Sequence, residues 1–207
     1  MSVKAVVFDY GGVICFNPTL KAEREVARLS GLPLNTLRKL NRKYRSEYDR
    51  GIYDTREYFK FILSAGGTFP DDSGLEIIAQ TEMDCYRHLN PDTIQLMRDL
   101  KAAGFSLGVF SNMPHDFLAW VRKSIPAIAE ADFGVFSCEH NLIKPEKAIY
   151  LKLKELSGHE FDEIVFFDDR PDNIAMAKKL GICGFVWEGP QAARETLRKL
   201  DREFEIL

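Results

Sequence analysis

Cysteine is too sparse to organise this chain. Cys15, Cys85, Cys138 and Cys183 stand apart, with no CxxC pair and no zinc-ligand spacing, so neither a disulfide framework nor a structural zinc site is indicated. They read as free thiols in a reducing compartment. Long apolar runs are lacking as well. No stretch approaches the ~18 consecutive apolar residues of a membrane span. Met1-Ser2-Val3-Lys4 leads straight into a short apolar run, without a secretory leader pattern. The expectation is a cytoplasmic protein with no membrane partner. Charge of one sign is not in excess: 28 basic and 31 acidic residues give a formal charge of −3. That offers no footprint for nucleic acid. No internal repeat or low-complexity tract interrupts the 207 residues, a length that fits one large domain or one domain with an insertion.

What is present is a series of short apolar runs at residues 3–8, 105–110, 133–136, 164–167 and 184–187. Each lacks a clean period of two, as parallel strands covered on both faces do. Helical patterns alternate with them. One opens at Pro91, with Asn90 as N-cap, Ile94, Met97 and Leu100 on its apolar face and Gly104 as its stop. Others open at Pro114, at Pro145 and near Pro171, the last ending at Gly181. Alternating strand and helix predicts an α/β fold, a doubly wound parallel sheet with a Rossmann-like core. The first run breaks the rhythm, because residues 16–88 separate it from the rest, far more than an ordinary crossover needs. Four helical patterns fill that stretch, including the stripes Leu37, Leu40, Tyr44, Tyr48 and Tyr58, Ile62, Ala65. The predicted organisation is a core of residues 1–15 and 89–207 and a helical cap of residues 16–88.

The strands end in polar residues: Asp9 after the first, Ser111-Asn112 after the second, Asp168-Asp169 after the fourth. Lys144-Pro145 follows the third. In a parallel sheet these ends share one edge, where open α/β folds bind ligands. A carboxylate nucleophile facing a phosphate meets like charge, costing about 4 kcal/mol per pair at ~4 Å and an effective dielectric of 20. Asp9 and Asp169 can offset this by holding a hard cation such as Mg²⁺ through oxygen ligands. Lys144 adds a fixed positive charge. Ser111 and the amides of the helix near Pro114 can hold phosphate oxygens.

Phe8-Asp9-Tyr10-Gly11-Gly12-Val13-Ile14, Phe110-Ser111-Asn112, Lys144-Pro145-Glu146 and Phe166-Phe167-Asp168-Asp169-Arg170-Pro171-Asp172-Asn173-Ile174 resemble, in order, the four motifs of the haloacid dehalogenase superfamily. The resemblance covers nearly the whole chain and is nearest to the small bacterial phosphatases of sugar phosphates. The insertion after the first strand is similar to that family's first type of cap. The resemblance implies Asp9 as the residue that becomes phosphorylated. It implies Ser111, Asn112 and Lys144 as phosphoryl contacts, with Lys144 also steadying the nucleophile. Mg²⁺ would be held by Asp9, Asp169 and the main-chain carbonyl of Gly11, with Asp168 and Asn173 in support. A small phosphorylated metabolite is the expected partner, and the chain is expected to be a monomer or homodimer.

The departure from the pattern is Gly11, where the family usually carries a second aspartate acting as general acid and base. Losing such help costs about 10²–10⁴-fold, which favours esters with good leaving groups, such as sugar 1-phosphates or aryl phosphates. His115 is one substitute, although a lone histidine is more often incidental. In the cap, Arg45 or a polar neighbour could reach the leaving group, against the plainer reading of a tyrosine stripe flanked by solvated arginines. Two other activities compete. A 2-haloacid dehalogenase would use the same aspartate on carbon without metal, but Asp168 and Asp169 would repel a haloacid's carboxylate. A degenerate phosphate-binding module without turnover draws support only from Gly11.

Overall fold

The computed structural model describes residues 3–200. Chain order begins with β1 (Ala5–Phe8), followed by four helices: α1 (Leu20–Leu29), α2 (Leu34–Asp49), α3 (Thr55–Ala65) and α4 (Asp72–Asp84). There follow α5 (Pro91–Ala102), β2 (Ser106–Ser111), α6 (His115–Ser124), α7 (Pro126–Ala129), β3 (Phe133–Phe136) and α8 (Ser137–His140). The chain then continues through α9 (Lys147–Ser157), β4 (Ile164–Asp168), α10 (Pro171–Lys179), β5 (Cys183–Val186) and α11 (Pro190–Leu200).

The strands form one wholly parallel sheet in the order β3-β2-β1-β4-β5. β1 lies at its centre and is buried on both faces, which is why its sequence runs apolar without alternation. Successive side chains still point to opposite faces. Val6 and Phe8 join Leu96, Met97, Leu100, Val121 and Leu197 from α5, α6 and α11, whereas Ala5 and Val7 join Ile149, Tyr150, Leu153, Ile174 and Ala177 from α9 and α10. Register pairs Phe8 with Val109 on one side and with Phe167 on the other. Asp9, Phe110-Ser111 and Asp168 therefore emerge side by side at the carboxyl edge.

Asn90 caps α5 through its side chain, which accepts from the amides of Asp92 and Thr93. α10 begins at Pro171 and α6 one residue after Pro114, close to the starts read from the sequence, but the start at Pro145 is misplaced. α9 begins at Lys147, not at Pro145: residues 143–146 form a turn closed by the Glu146 amide on the Ile143 carbonyl at 2.9 Å. Lys144 therefore sits ahead of the helix, on a loop, and the Lys144–Pro145 peptide is cis.

Helices α1–α4 carry an apolar cluster of their own, with Val26, Leu37, Tyr48, Tyr58, Phe59, Ile62, Leu63, Leu75 and Ile78 buried in it. Tyr58 and Ile62 are buried as the stripe predicts, but Ala65 is exposed, and Phe59 and Leu63 complete the buried face of α3. Phe16 and Leu89 lie on the two chain segments that join this bundle to the sheet. These segments run together, with the Phe16 amide on the His88 carbonyl at 2.8 Å and Cys15 bridged to Leu89. No helix among the described residues is long and apolar enough to cross a membrane.

Candidate functional site

Asp9 is fixed from both ends. Its amide donates to the Phe167 carbonyl at 2.9 Å. Its Oδ1 accepts from the Tyr10 amide at 2.7 Å and lies 3.0 Å from Lys144 Nζ. Lys144 Nζ also donates to Asp168 Oδ2 at 2.6 Å and to the Phe110 carbonyl at 2.7 Å. The ammonium group lies about 5 Å from the centres of the Phe110 and Phe166 rings, a contact that favours a desolvated cation. Lys144 and Asp168 are buried; Asp9 is 7% exposed and opens to a cleft.

Asp168 has its oxygens occupied. Besides Lys144, they accept from the Asn173 Nδ2 at 2.9 Å and the Arg170 amide at 2.8 Å. Asn173 is held in turn through its carbonyl, which accepts from the Tyr150 hydroxyl at 2.8 Å. Asp169, one residue further, faces the cleft and accepts from Asn17 Nδ2 at 3.1 Å. Asp9, Asp168 and Asp169 can each offer an oxygen such that all three lie within 4.8 Å of one another. One ammonium faces these three carboxylates, so the donor set is hard, oxygen-only and under-neutralised, which suits a divalent cation such as Mg²⁺. Asp168 is the most heavily hydrogen-bonded of the three and lies beneath the cleft, so Asp9 and Asp169, which face it, are better placed to ligate directly.

The electrostatics follow from burial. Desolvation pushes the Asp9 carboxyl up to about 7, with Lys144 opposing and Asp168 adding to the rise. A side-chain hydrogen bond with Ser111 also opposes it. Burial would lower Lys144, but the carboxylates of Asp168 and Asp9 more than offset this and hold it above its ordinary value. Asp169 is raised, again chiefly by burial, with Asn17 pulling it down.

Of the residues singled out in the sequence, Asp9, Gly11, Ser111, Asn112, Lys144, Asp169 and Asn173 line a single cleft of about 420 Å³. Asp168 lies beneath it. Asn112 does not present its amide freely. Its Oδ1 accepts from the Lys144 amide at 2.9 Å and its Nδ2 donates to the Lys144 carbonyl at 3.1 Å, clamping the loop that carries the lysine. The Met113 amide is likewise used, donating to Ser137 Oγ at 2.9 Å, so it is not free for a phosphate oxygen. Nothing lies within 4 Å of the point a Cβ on Gly11 would occupy. His115 is exposed, packs on Gly51 and forms no part of the cleft wall.

The opposite wall comes from α2 and the end of the helical insertion: Asn41, Arg42, Arg45, Asp49 and Tyr86. Arg45 does not hang free. Its Nε lies 2.8 Å from Asp49 Oδ1 and its Nη1 3.6 Å from Glu82 Oε1, and the guanidinium is 4.9 Å from the centre of the Tyr48 ring. A side niche of about 50 Å³ adjoins it, bounded by Tyr10, Tyr48, Met83, Tyr86 and Phe117 beside Ser111. A larger cavity of about 600 Å³ lies between α3 and the start of α4, lined by Lys60, Phe61, Phe69 and Leu75; the acidic cluster does not reach it. Sequence reasoning missed Asn17 and Arg42. Neither sits at a strand end or in a motif, and only the folding of the insertion over the sheet edge brings them there.

This strand-end arrangement under a helical insertion defines a class. Residues 3–181 match the family model of the haloacid dehalogenase-like hydrolases, and the chain belongs to that family. Among its relatives is a phosphatase of Mycobacterium tuberculosis, 23% identical over 192 residues, covering 90% of this chain and 88% of that protein. Another is an (S)-2-haloacid dehalogenase of Pseudomonas putida, 25% identical, covering 87% and 82%. In fold the chain resembles a haloacid dehalogenase family enzyme of Bacteroides thetaiotaomicron, with TM-score 0.77, 18% identity and coverage of 96% and 100%. That enzyme has also been solved in complex with magnesium and inorganic phosphate, a structure with TM-score 0.70, 18% identity and coverage of 89% and 94%.

Proposed function

We propose that this hydrolase is a Mg²⁺-dependent phosphatase that cleaves a small phosphate monoester through an aspartyl-phosphate on Asp9. The observation that carries the reading is the pairing of a cleft-facing Asp9 with Lys144 at 3.0 Å inside a three-carboxylate cluster. The magnesium and phosphate bound to the Bacteroides thetaiotaomicron enzyme support it by analogy of fold. So does the phosphatase relative. On this reading residues 1–15 and 89–207 form the core and 16–88 the cap; residues 1–2 and 201–207 of that division lie outside the described residues.

Asp9 attacks phosphorus as the ester P–O bond breaks, and water later cleaves the acyl phosphate to release inorganic phosphate. The Tyr10 amide and Lys144 fix Oδ1, which sets the orientation of the carboxylate before attack. Lys144 also faces the charge of the transferring group. Ser111 holds a phosphoryl oxygen, Asn112 fixes the Lys144 loop, and Asp168 and Asn173 keep the ammonium in place. Asp9, Asp169 and the Gly11 carbonyl would hold a divalent ion, which would supply charge neutralisation for the transferring group. Gly11 has no proton to give, so the leaving oxygen must depart as a stable anion or take its proton from water. Sugar 1-phosphates and aryl phosphates fit that requirement best.

The dehalogenase relative keeps a second reading in view. The test is a panel of phosphate esters and 2-haloacids, assayed with Mg²⁺ and with chelator, beside Asp9→Asn. Metal-dependent phosphate release that is lost in Asp9→Asn is the expected result. Halide release insensitive to chelator would establish a dehalogenase, and phosphate binding without any turnover a degenerate module.

A further inference from the structure

We propose that Arg42 selects substrates whose leaving group carries a second anionic group, a carboxylate or a further phosphoryl. This rests on the phosphatase reading and adds the substrate class to it.

The argument begins with the register of α2. The Tyr58 hydroxyl donates to Asn41 Oδ1 at 2.5 Å, which pins this helix on the bundle. Positions 42, 45 and 49 then follow one another at i, i+3 and i+7, along one helical face, and all three line the cleft opposite Asp9. Four cations line the cleft: Arg42, Arg45, Lys144 and Arg170. Lys144 is taken by Asp9 and Asp168, Arg45 by Asp49 and Glu82, and Arg170 by Asp172 at 2.7 Å. Arg42 alone among these four has no carboxylate within 4.0 Å among the described residues.

An exposed arginine is ordinarily solvated and idle. Arg42 differs in place. It stands beside Asn41 in the lining of the same cleft as the reacting carboxylate, into which the non-reacting end of an ester held at Asp9 extends. The floor cluster is matched to the phosphoryl group and its cation, so it leaves nothing to neutralise a second anion. A planar guanidinium answers a carboxylate or phosphate in two-pronged fashion. Arg45, the cap residue more prominent in the sequence, is already neutralised and instead shapes the wall.

One charge-assisted hydrogen bond that forms with one substrate and not with its neutral partner corresponds to roughly ten- to hundredfold in kcat/KM. The test uses matched pairs on the full chain with Mg²⁺: glycerol phosphate against phosphoglycerate, and a hexose monophosphate against the corresponding bisphosphate. The first pair probes a carboxylate and the second a phosphoryl group. The anionic member of at least one pair is expected to lead by that factor. In Arg42→Gln the ratio should fall to near parity, and Arg42→Lys should restore part of it. A merely structural role would lower both members together and leave the ratio alone. Turnover without preference in the wild type, or a preference that survives Arg42→Gln, overturns the role of Arg42 while leaving the phosphatase reading intact. No turnover of any ester overturns both.

Discussion

A Cβ on Gly12 would lie 2.5 Å from Oδ2 of Asp169 and 2.7 Å from Nδ2 of Asn17. Gly12 also has φ +72°, a left-handed backbone that costs a side-chain-bearing residue about 1–2 kcal/mol. The second glycine of the Gly11-Gly12 pair is therefore what allows the turn after β1 to press against the carboxylate at the end of β4. Gly12→Ala must push Asp169 and Asn17 aside. A displacement of about 1 Å at a catalytic group can cost 10²-fold, and a loss of that order in phosphatase turnover is expected. Gly11→Ala is the contrast. Its Cβ meets nothing within 4 Å, and its φ is not in the left-handed region. Urea unfolding should show a gain of about 0.4–1 kcal/mol, the usual effect of removing glycine's freedom at a compatible site.

Gly11→Asp places a carboxyl group in the same open space on the cleft wall. If the missing side chain is the proton donor, poor leaving groups should benefit most. Turnover of an alkyl phosphate is expected to rise by about 10²-fold relative to an aryl phosphate. A uniform change across both ester classes would mean that proton transfer to the leaving group does not limit this enzyme.

Asn112 reads in the sequence as a phosphate contact, but each end of its amide bonds the main chain of Lys144. Asn112→Ala leaves the Lys144 amide without its partner, a penalty of about 1–3 kcal/mol where the group is buried. The Lys144 loop should loosen, and kcat should fall by about 10²-fold with little change in KM. A rise in KM at constant kcat would instead restore Asn112 to direct substrate binding.

These residues show where sequence reading reaches and where it stops. Asp9, Ser111 and Asp168-Asp169 are legible because strand ends in a parallel sheet share an edge, and apolar runs locate strands well. The start of α9 is not, because Pro145 satisfies the local rule for a first helical residue yet sits in the preceding turn. The face of α3 is misjudged at Ala65 because a stripe of three positions does not distinguish it from the parallel stripe through Phe59 and Leu63. The cleft wall on α2 is the least legible part. Arg45 is neutralised within the helix by Asp49 and from a different helix by Glu82, and only the second contact lies beyond the reach of local sequence spacing.

Lys144 offers the sharpest test of how charge holds the site together. Its ammonium is 3.0 Å from Asp9 and 2.6 Å from Asp168, and its stem carries it toward the Phe110 and Phe166 rings. Lys144→Met keeps a long apolar side chain against those rings and removes the charge. Two buried carboxylates are then left facing each other, with Asp169 nearby. Breaking a buried ion pair by deleting one partner costs about 3–5 kcal/mol, and urea unfolding in the presence of chelator should show a loss in that range. Magnesium should act in the opposite direction. An ion bound only by the folded state stabilises it by mass action, and at a pH above the raised titration range of Asp9 the variant's cluster carries one more uncompensated negative charge than the wild type's. Saturating Mg²⁺ should therefore raise the stability of Lys144→Met by more than it raises that of the wild type, even though turnover is lost. Equal stabilisation of the two proteins would show that the ion, if it binds, does not sit where Asp9 and Asp169 converge.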